Sequence, residues 1–294
     1  MAGGEGRQGI PGGPSPQRQL RSLHGDPPDR RDLLLGAGLT PSRLRSWPFL
    51  DWPHPIAFAH RGGAADHPEN TMAAFAAAID LGYRYLETDV HVTSDGVLLA
   101  FHDHTLDRVA DRRGRVAELP YSYVSQARVQ GEPIPLLEDI LGTWPEARMN
   151  IDAKHDAAVP ALVEAVNRTG AHDRVNLGSF SNRRVHRLRA LTGDGVCTWM
   201  GSTAVALLRL HSWGLPAPRR MPAACAQVPV RRGRVPVLDR RFLEAAHGQS
   251  LAVHVWTVNE RAQMERLIDL GVDGIFSDRP ALLKEVLSER GLWA

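Results

Sequence analysis

The chain is expected to form an α/β fold, a (β/α)8 barrel, and two observations predict it. From Ile56 onward short apolar runs alternate with amphipathic stretches over about 235 residues, the span of eight strand-helix units. No Gly-rich phosphate loop of the Walker or dinucleotide type favours the alternative, an open doubly wound sheet. The strand-like runs are "IAFAH" (56–60), "YLETDV" (85–90), "MNIDAK" (149–154), "VNLGSF" (175–180), "VCTWM" (196–200), "AACAQVPV" (223–230), "LAVHVWTV" (251–258) and "GIFSD" (274–278). Helix patterns lie between them. "ENTMAAFAAAIDLG" spaces Met72, Phe75 and Ile79 at helical intervals and stops at Gly82. "ERAQMERLIDLG" repeats this with Met264, Leu267 and Ile268 and stops at Gly271. The others are "PLLEDILG" and residues 157–169, 182–191, 203–213, 239–247 and 280–289.

The second unit is irregular. "SDG" in "HVTSDGVLLAFHDHTLDRV" separates two extended runs and predicts a hairpin that prolongs the second strand. The turn-rich segment after it, about 105–135, is expected to form a small insertion over the barrel mouth. Residues 46–294 then make one catalytic domain, and residues 1–45, rich in Gly, Pro and Arg, a disordered or extended tail. The tail lacks the apolar core of a signal peptide, "LLLGAG" (33–38) being too brief, and no run nears the ~18 apolar residues of a membrane span. A cytoplasmic protein with no integral membrane segment is expected; the oligomeric state is left open.

Composition narrows the partners. With 43% hydrophobic and 23% charged residues the chain is ordinary for a globular protein, and a net charge of +2 offers no global field for nucleic acid. The two "RRGR" blocks (112–115 and 231–234) are short and read as solvated surface. Cys197 and Cys225 have no metal or disulfide spacing and read as buried thiols in a reducing compartment.

In such a barrel the C-terminal strand ends carry the active site. The first strand ends in His60 and Arg61, followed by Gly62 and Gly63, which let the backbone turn tightly. Glu87 and Asp89 are two apart, so both carboxylates face one side of the second strand. Paired carboxylates repel unless a cation lies between them, and Asp152 offers a third oxygen, a set suited to Mg²⁺ or Ca²⁺ rather than zinc. Lys154 shares the face of Asp152 and, with Arg61, supplies fixed positive charge for an anionic substrate. His102 ends the hairpin's return strand as His60 ends the first, giving two imidazoles for acid and base work on a phosphate ester. Singly, each of these is more often a structural or surface residue. Together they fall on one end of one barrel. Ser179 ends the fourth run but lacks a local base, and His67, His91, His104 and His155 carry no role in this pattern; His254 reads as a hydrogen-bonded interior histidine.

The stretch "AHRGGAADHPENTMAAFAAAIDLGYRYLETDVHVTSDGVLLAFHDHTLDR" resembles the N-terminal signature of the glycerophosphodiester phosphodiesterase family, and "IPLLEDIL", "NIDAK", "LGSF", "VWTVN" and "GVDGIFSD" continue the likeness in order to about Leu287. The resemblance implies a TIM barrel and metal-dependent cleavage of a glycerophosphodiester to glycerol 3-phosphate and an alcohol. By that likeness His60 and His102 match catalytic histidines, Arg61 a phosphate-contacting arginine, and Glu87 and Asp89 metal ligands. Lys154 matches the lysine of an E-x-K pattern in which Asp152 replaces the usual Glu, so the ligand arm is one methylene shorter. Trp256 and Asn259 belong to a motif facing the substrate pocket, with simple packing as the alternative for Trp256. Glu69 resembles a residue that supports the site from behind, or else a first-turn carboxylate favoured by the helix dipole. Two other outcomes are a lysophospholipase D-like enzyme acting on lipids and a barrel that binds phosphodiesters without cleaving them.

Overall fold

The computed structural model describes Met1, Gly3 and residues 47–52, 55–216, 218 and 221–293. The expected tail at 1–45 lies, but for Met1 and Gly3, outside the described residues. The barrel belongs to a compact unit running from Leu39 to Ala294.

The strands of the main sheet are β1 (Ile56–Ala59), β2 (Tyr85–Val92), β3 (Leu98–Ala100), β4 (Arg148–Ala153), β5 (Val175–Gly178), β6 (Cys197–Thr198), β7 (Cys225–Pro229), β8 (Ala252–Trp256) and β9 (Gly274–Ser277). The helices are α1 (Met72–Asp80), α2 (Leu137–Thr143), α3 (Ala158–Thr169), α4 (Asn182–Thr192), α5 (Ser202–Ser212), α6 (Arg240–Gly248), α7 (Arg261–Leu270) and α8 (Pro280–Glu289). All but β3 pair in parallel, in the order β6-β5-β4-β2-β1-β9-β8-β7. The ring closes where Trp199 bridges Cys225, with Ala224 N donating to Thr198 O at 2.9 Å and Met200 N to Cys225 O at 3.0 Å. Each of these strands is nearly all buried because both faces are covered. Period two still sorts the side chains. Ala57, Leu86, Val90, Ile151 and Val253 pack outward under the helices, whereas Ile56, Phe58, Tyr85, Cys225 and Phe276 fill the barrel.

Local chemistry sets the helix ends. Thr71 caps α1 by accepting from Ala74 N at 3.2 Å. Asp239 caps α6 through Phe242 N at 2.9 Å and also takes a forked pair from the buried Arg209 of α5, at 2.8 and 2.6 Å. At the N-terminal end of the barrel a short turn, Pro48–Leu50, seats Phe49 edge-on to Tyr85, centroids 5.3 Å apart. Tyr85 Oη donates to Phe49 O at 2.7 Å and Arg148 to Asp51 O at 2.7 Å, which holds this plug in place.

The hairpin falls where "SDG" predicted it: β3 runs antiparallel to β2, with Val90 opposite Ala100. The segment after it packs a satellite core of Leu106, Val116, Val124, Val129 and Ile134 against Leu99 and Phe101. His102, Asp103, His104 and Thr105, at its start, line a cavity of about 450 Å³ together with Lys154.

One expectation needs correction. His254 is fully buried, yet neither ring nitrogen has a hydrogen-bond partner among the described residues, because its neighbours are the rings of Phe58 (5.0 Å) and Phe276 (6.3 Å). Around α5, Leu207, Leu210, Trp213 and Leu215 stay exposed, and Leu208 and Arg209 are the residues of α5 that are buried.

Candidate active site

The C-terminal strand ends bring the charged residues together. At the tip of β1 the chain turns through Arg61 (φ 50°), Gly62 (φ 82°) and Gly63 (φ 106°), three left-handed residues in succession. A Cβ on Gly62 would lie 2.7 Å from Ala74 Cβ, so glycine lets the turn press against α1. The turn aims Arg61 N at Glu87 Oε2 (3.1 Å) and the Arg61 guanidinium at Glu69 Oε1 (3.1 Å) and Asp89 Oδ2 (3.2 Å).

Glu87 and Asp89 are buried on one face of β2, and Asp152 stands beside Asp89 in the register with β4. Lys154 Nζ lies 2.7 Å from Asp89 Oδ1 and 2.7 Å from Asp152 Oδ2. The carboxylates respond differently. Burial and the charge of Asp89 push Glu87 up to about 7, against the pull of His60 and Arg61. Burial opposes ionisation of Asp89 too, but Lys154 and Arg61 outweigh it and hold Asp89 near 2. Burial raises Asp152, offset in part by Lys154. Lys154 itself is raised, since Asp89 and Asp152 overcome the burial that disfavours its charge.

Each histidine is backed by a carboxylate. His60 Nδ1 is 2.6 Å from Asp278 Oδ1, and its Nε2 is 3.7 Å from Glu87 Oε2. His102 Nδ1 is 2.6 Å from Asp103 Oδ1. Burial disfavours charge on both rings. Glu87 and Asp278 overcome it and raise His60, whereas for His102 burial prevails over Asp89 and the Asp103 bond, and its pKa falls. Asp278 is fixed in turn by Asn259, whose Nδ2 donates to Asp278 Oδ2 (2.8 Å) while its Oδ1 accepts from Asp278 N (2.9 Å). The structure thus places Asn259 behind Asp278 and His60. Glu69 takes Arg61 and a forked pair from Arg108. Trp256 stands edge-on to Phe180 at 5.4 Å, and Lys154 Nζ lies 5.5 Å from the Phe180 ring. Phe180 and Trp256 thus form an apolar wall beside Lys154.

A hard divalent cation suits part of this set. Asp89 Oδ2 and Asp152 Oδ1 are buried without a hydrogen bond, and Glu87 and Asp89 repel each other at close quarters. Among the described residues, however, no three His, Cys, Asp or Glu side chains converge as a metal centre; the Lys154 ammonium sits between Asp89 and Asp152. Glu87 thus fits the role of a ligand, whereas Asp89 and Asp152 each give one oxygen to Lys154 and would offer the other, Asp89 Oδ2 lying 3.2 Å from Arg61 Nε as well.

Sequence reading missed Asp278, Asp103, Arg108 and Phe180. Asp278 ends the run "GIFSD" as His60 ends "IAFAH", so the strand-end signal was present. Asp103 follows His102 directly, and Phe180 closes "LGSF". Arg108 lies in the insertion, where no periodicity points inward. The remaining polar residues keep plain roles. Ser179 Oγ donates to Ala153 O at 2.8 Å, and His91 Nε2 meets the His102 carbonyl at 3.1 Å. His67, His104 and His155 are exposed, and Cys197 and Cys225 are buried free thiols.

Comparison with known proteins places this geometry. The model of the glycerophosphoryl diester phosphodiesterase family matches residues 60–282. A Mycobacterium tuberculosis protein named "Probable glycerophosphodiester phosphodiesterase 2" is 40% identical over 256 residues, covering 83% of this chain and 95% of that one. A human lysophospholipase D is 24% identical over 266 residues, covering 78% and 85%. Among solved structures, an Oleispira antarctica phosphodiesterase in complex with sn-glycerol-3-phosphate superposes with a TM-score of 0.67 at 21% identity, covering 80% of this chain and 97% of that one. The barrel is shared with that structure, and the chain belongs to the glycerophosphoryl diester phosphodiesterase family.

Proposed function

We propose that the protein hydrolyses glycerophosphodiesters to glycerol 3-phosphate and an alcohol, with His60 and His102 as acid and base and a divalent cation at Glu87 and Asp89. The observation that carries this reading is the pairing of two carboxylate-backed imidazoles with two fixed cations at one barrel mouth. Arg61 and Lys154 face the non-bridging phosphate oxygens and offset the charge that gathers there in the transition state. One imidazole takes the proton of the nucleophile as its oxygen bonds to phosphorus: water, which gives glycerol 3-phosphate at once, or the substrate's own glycerol 2-hydroxyl, which gives a cyclic phosphate that water opens in a second step with the proton transfers reversed. The other gives a proton to the alcohol oxygen as the phosphorus–oxygen bond breaks. Asp278 and Asp103 hold the Nδ1 side of each ring, leaving Nε2 to the substrate. Mg²⁺ or Ca²⁺ held by Glu87 and Asp89, with Asp152 through its free oxygen, supplies Lewis-acid stabilisation when bound.

The test is release of glycerol 3-phosphate from glycerophosphocholine and glycerophosphoethanolamine, with chelator, Mg²⁺ or Ca²⁺. Expected is release that the chelator abolishes, and a loss of ~10²-fold or more in His60→Ala and in His102→Ala. Turnover in either variant at the wild-type rate removes that histidine from the reaction. Release in full chelator removes the cation. A second reading, a lysophospholipase D acting on lipid substrates, is favoured by the wall of Phe180, 45% exposed, and Trp256, which suits a hydrocarbon chain. Cleavage of lysophosphatidylcholine in preference to the soluble diesters would select it. Binding of diesters with no cleavage of either substrate would select the non-catalytic barrel.

A further inference from the structure

We propose that Arg108, in the insertion after the hairpin, is a positioning residue that locks His102 to the Arg61 phosphate clamp through one continuous chain of charged groups. The proposal rests on the reading above, in which His102 carries a proton in the reaction.

The chain can be followed atom by atom. His102 Nδ1 is 2.6 Å from Asp103 Oδ1, and Asp103 Oδ2 accepts from Arg108 Nε at 2.5 Å. The same guanidinium donates to Glu69 twice, NH1 to Oε2 at 3.0 Å and NH2 to Oε1 at 2.7 Å. Glu69 Oε1 also accepts from Arg61 NH1 at 3.1 Å, and Arg61 Nε lies 3.2 Å from Asp89 Oδ2. Three donors of a single planar fork are thus divided between two carboxylates on different segments. Among the described residues, no other side chain of 101–135 hydrogen-bonds or ion-pairs with residues 60–71. The two segments carry opposite halves of the site, the proton carrier His102 and the phosphate-facing Arg61. Each segment is tied separately to β2, Phe101 N donating to Asp89 O at 2.9 Å and Arg61 N to Glu87 Oε2 at 3.1 Å; Arg108 joins their side chains directly.

The chemistry requires arginine here. A lysine is a point charge on a flexible stem and cannot span Asp103 and Glu69 with fixed angles. Asp103 has one oxygen on His102 and the other on Arg108, so its carboxylate plane, and with it the imidazole ring, is set by the guanidinium. The Arg108 side chain is 49% exposed, and ion pairs of that exposure add little to fold stability. The network is therefore expected to matter for orientation more than for folding, and that separates the two roles experimentally.

The test uses the full chain and Arg108→Ala, Arg108→Lys, Asp103→Asn and the double variant Arg108→Ala/Asp103→Asn. With glycerophosphocholine, Arg108→Ala is expected to lower kcat roughly 10- to 100-fold, the scale of a small misplacement of a reacting group, with KM and melting temperature near wild type. Lysine is expected to restore little, free guanidinium to restore part of the Ala variant's turnover, and the double variant to be no slower than its slower parent. Unchanged kcat overturns the proposal. So does a loss confined to KM, which would make Arg108 a substrate binder, or a loss tracking the melting temperature without guanidinium rescue. A readout independent of turnover is the Nδ1 proton resonance of His102 in NMR, assigned with His102→Ala. It should be sheltered from exchange in the wild type and broadened in Arg108→Ala; an unchanged resonance overturns the proposal. Were the wild type inactive on every diester and lysolipid, the enzymatic reading would fail, and the resonance would still decide whether Arg108 holds His102.

Discussion

At the scale of single residues, the site is built from side chains whose free orientation has been removed. His60 rotates only if Asp278 follows, and Asp278 is held at three points, by His60, Asn259 Nδ2 and its own backbone N–H on Asn259 Oδ1. Asp278→Asn keeps the shape but puts a neutral amide behind the ring. It leaves Glu87 to raise the His60 pKa alone and removes the carboxylate that orients its Nδ1–H. The expected outcome is a fall in kcat on the order of 10²-fold with an unchanged melting temperature. A wild-type kcat in Asp278→Asn would show that the Asp278 contact is incidental. The strain at Arg61, a non-glycine residue at φ 50°, belongs to the same design. In that conformation its backbone N–H donates to Glu87 Oε2 at 3.1 Å, a contact that helps to hold the turn.

At the scale of elements, β8 presents an instructive conflict. Its alternation sends Val253 and Val255 outward and His254 into the barrel, where the ring is fully buried between Phe58 and Phe276. Burial lowers the His254 pKa from 6.5 to about 4. The folded protein thus resists protonation that the unfolded chain accepts. Burying the neutral ring carries its full benefit above pH 6.5, and stability is lost as pH falls from 6.5 toward 4, where the unfolded state binds more protons. At ~1.4 kcal/mol per unit the loss reaches about 2–3 kcal/mol by pH 4.5. Denaturant unfolding of wild type and His254→Leu at pH 7.5 and 4.5 tests this. The variant should show a smaller acid loss by about that amount; equal acid losses would place the proton elsewhere.

At the scale of the whole molecule, the barrel is unevenly sewn. β2 and β4 share six registered pairs, whereas β6 has two with β5 and reaches β7 through the single bridge of Trp199 to Cys225. Packing compensates at this seam: Gly178 lies flat under Trp199, where a Cβ would come within 2.2 Å of the indole. Few ladder bonds and a short strand make the closure between β6 and β7 the first place to open. Hydrogen exchange should be fastest, among strand amides, at residues 197–200, and Gly178→Ala should speed it further. Exchange there as slow as in β2 would show that indole packing alone seals the ring. The active site lies mainly on β1, β2, β4 and β9, away from the seam, so opening there leaves the histidines and carboxylates in register.

The sequence by itself determined the barrel, its eight strand-helix units and the β2–β3 hairpin, because each rests on local periodicity and local turn chemistry. It also brought His60, Arg61, Glu87, Asp89, Asp152 and Lys154 to one end, since alternation fixes the face of a strand residue and a parallel barrel puts every strand's C-terminus at the same mouth. What supports them was decided only in three dimensions. Asp278 is 218 residues from His60, and Arg108 reaches across 39 residues to Glu69; pairings at such separation leave no periodic trace in the chain. The same holds for His254, whose burial without a hydrogen bond among the described residues depends on two aromatic rings from β1 and β9. Local pattern places a side chain on a face; only packing chooses its neighbours, and the neighbours set its charge and its orientation.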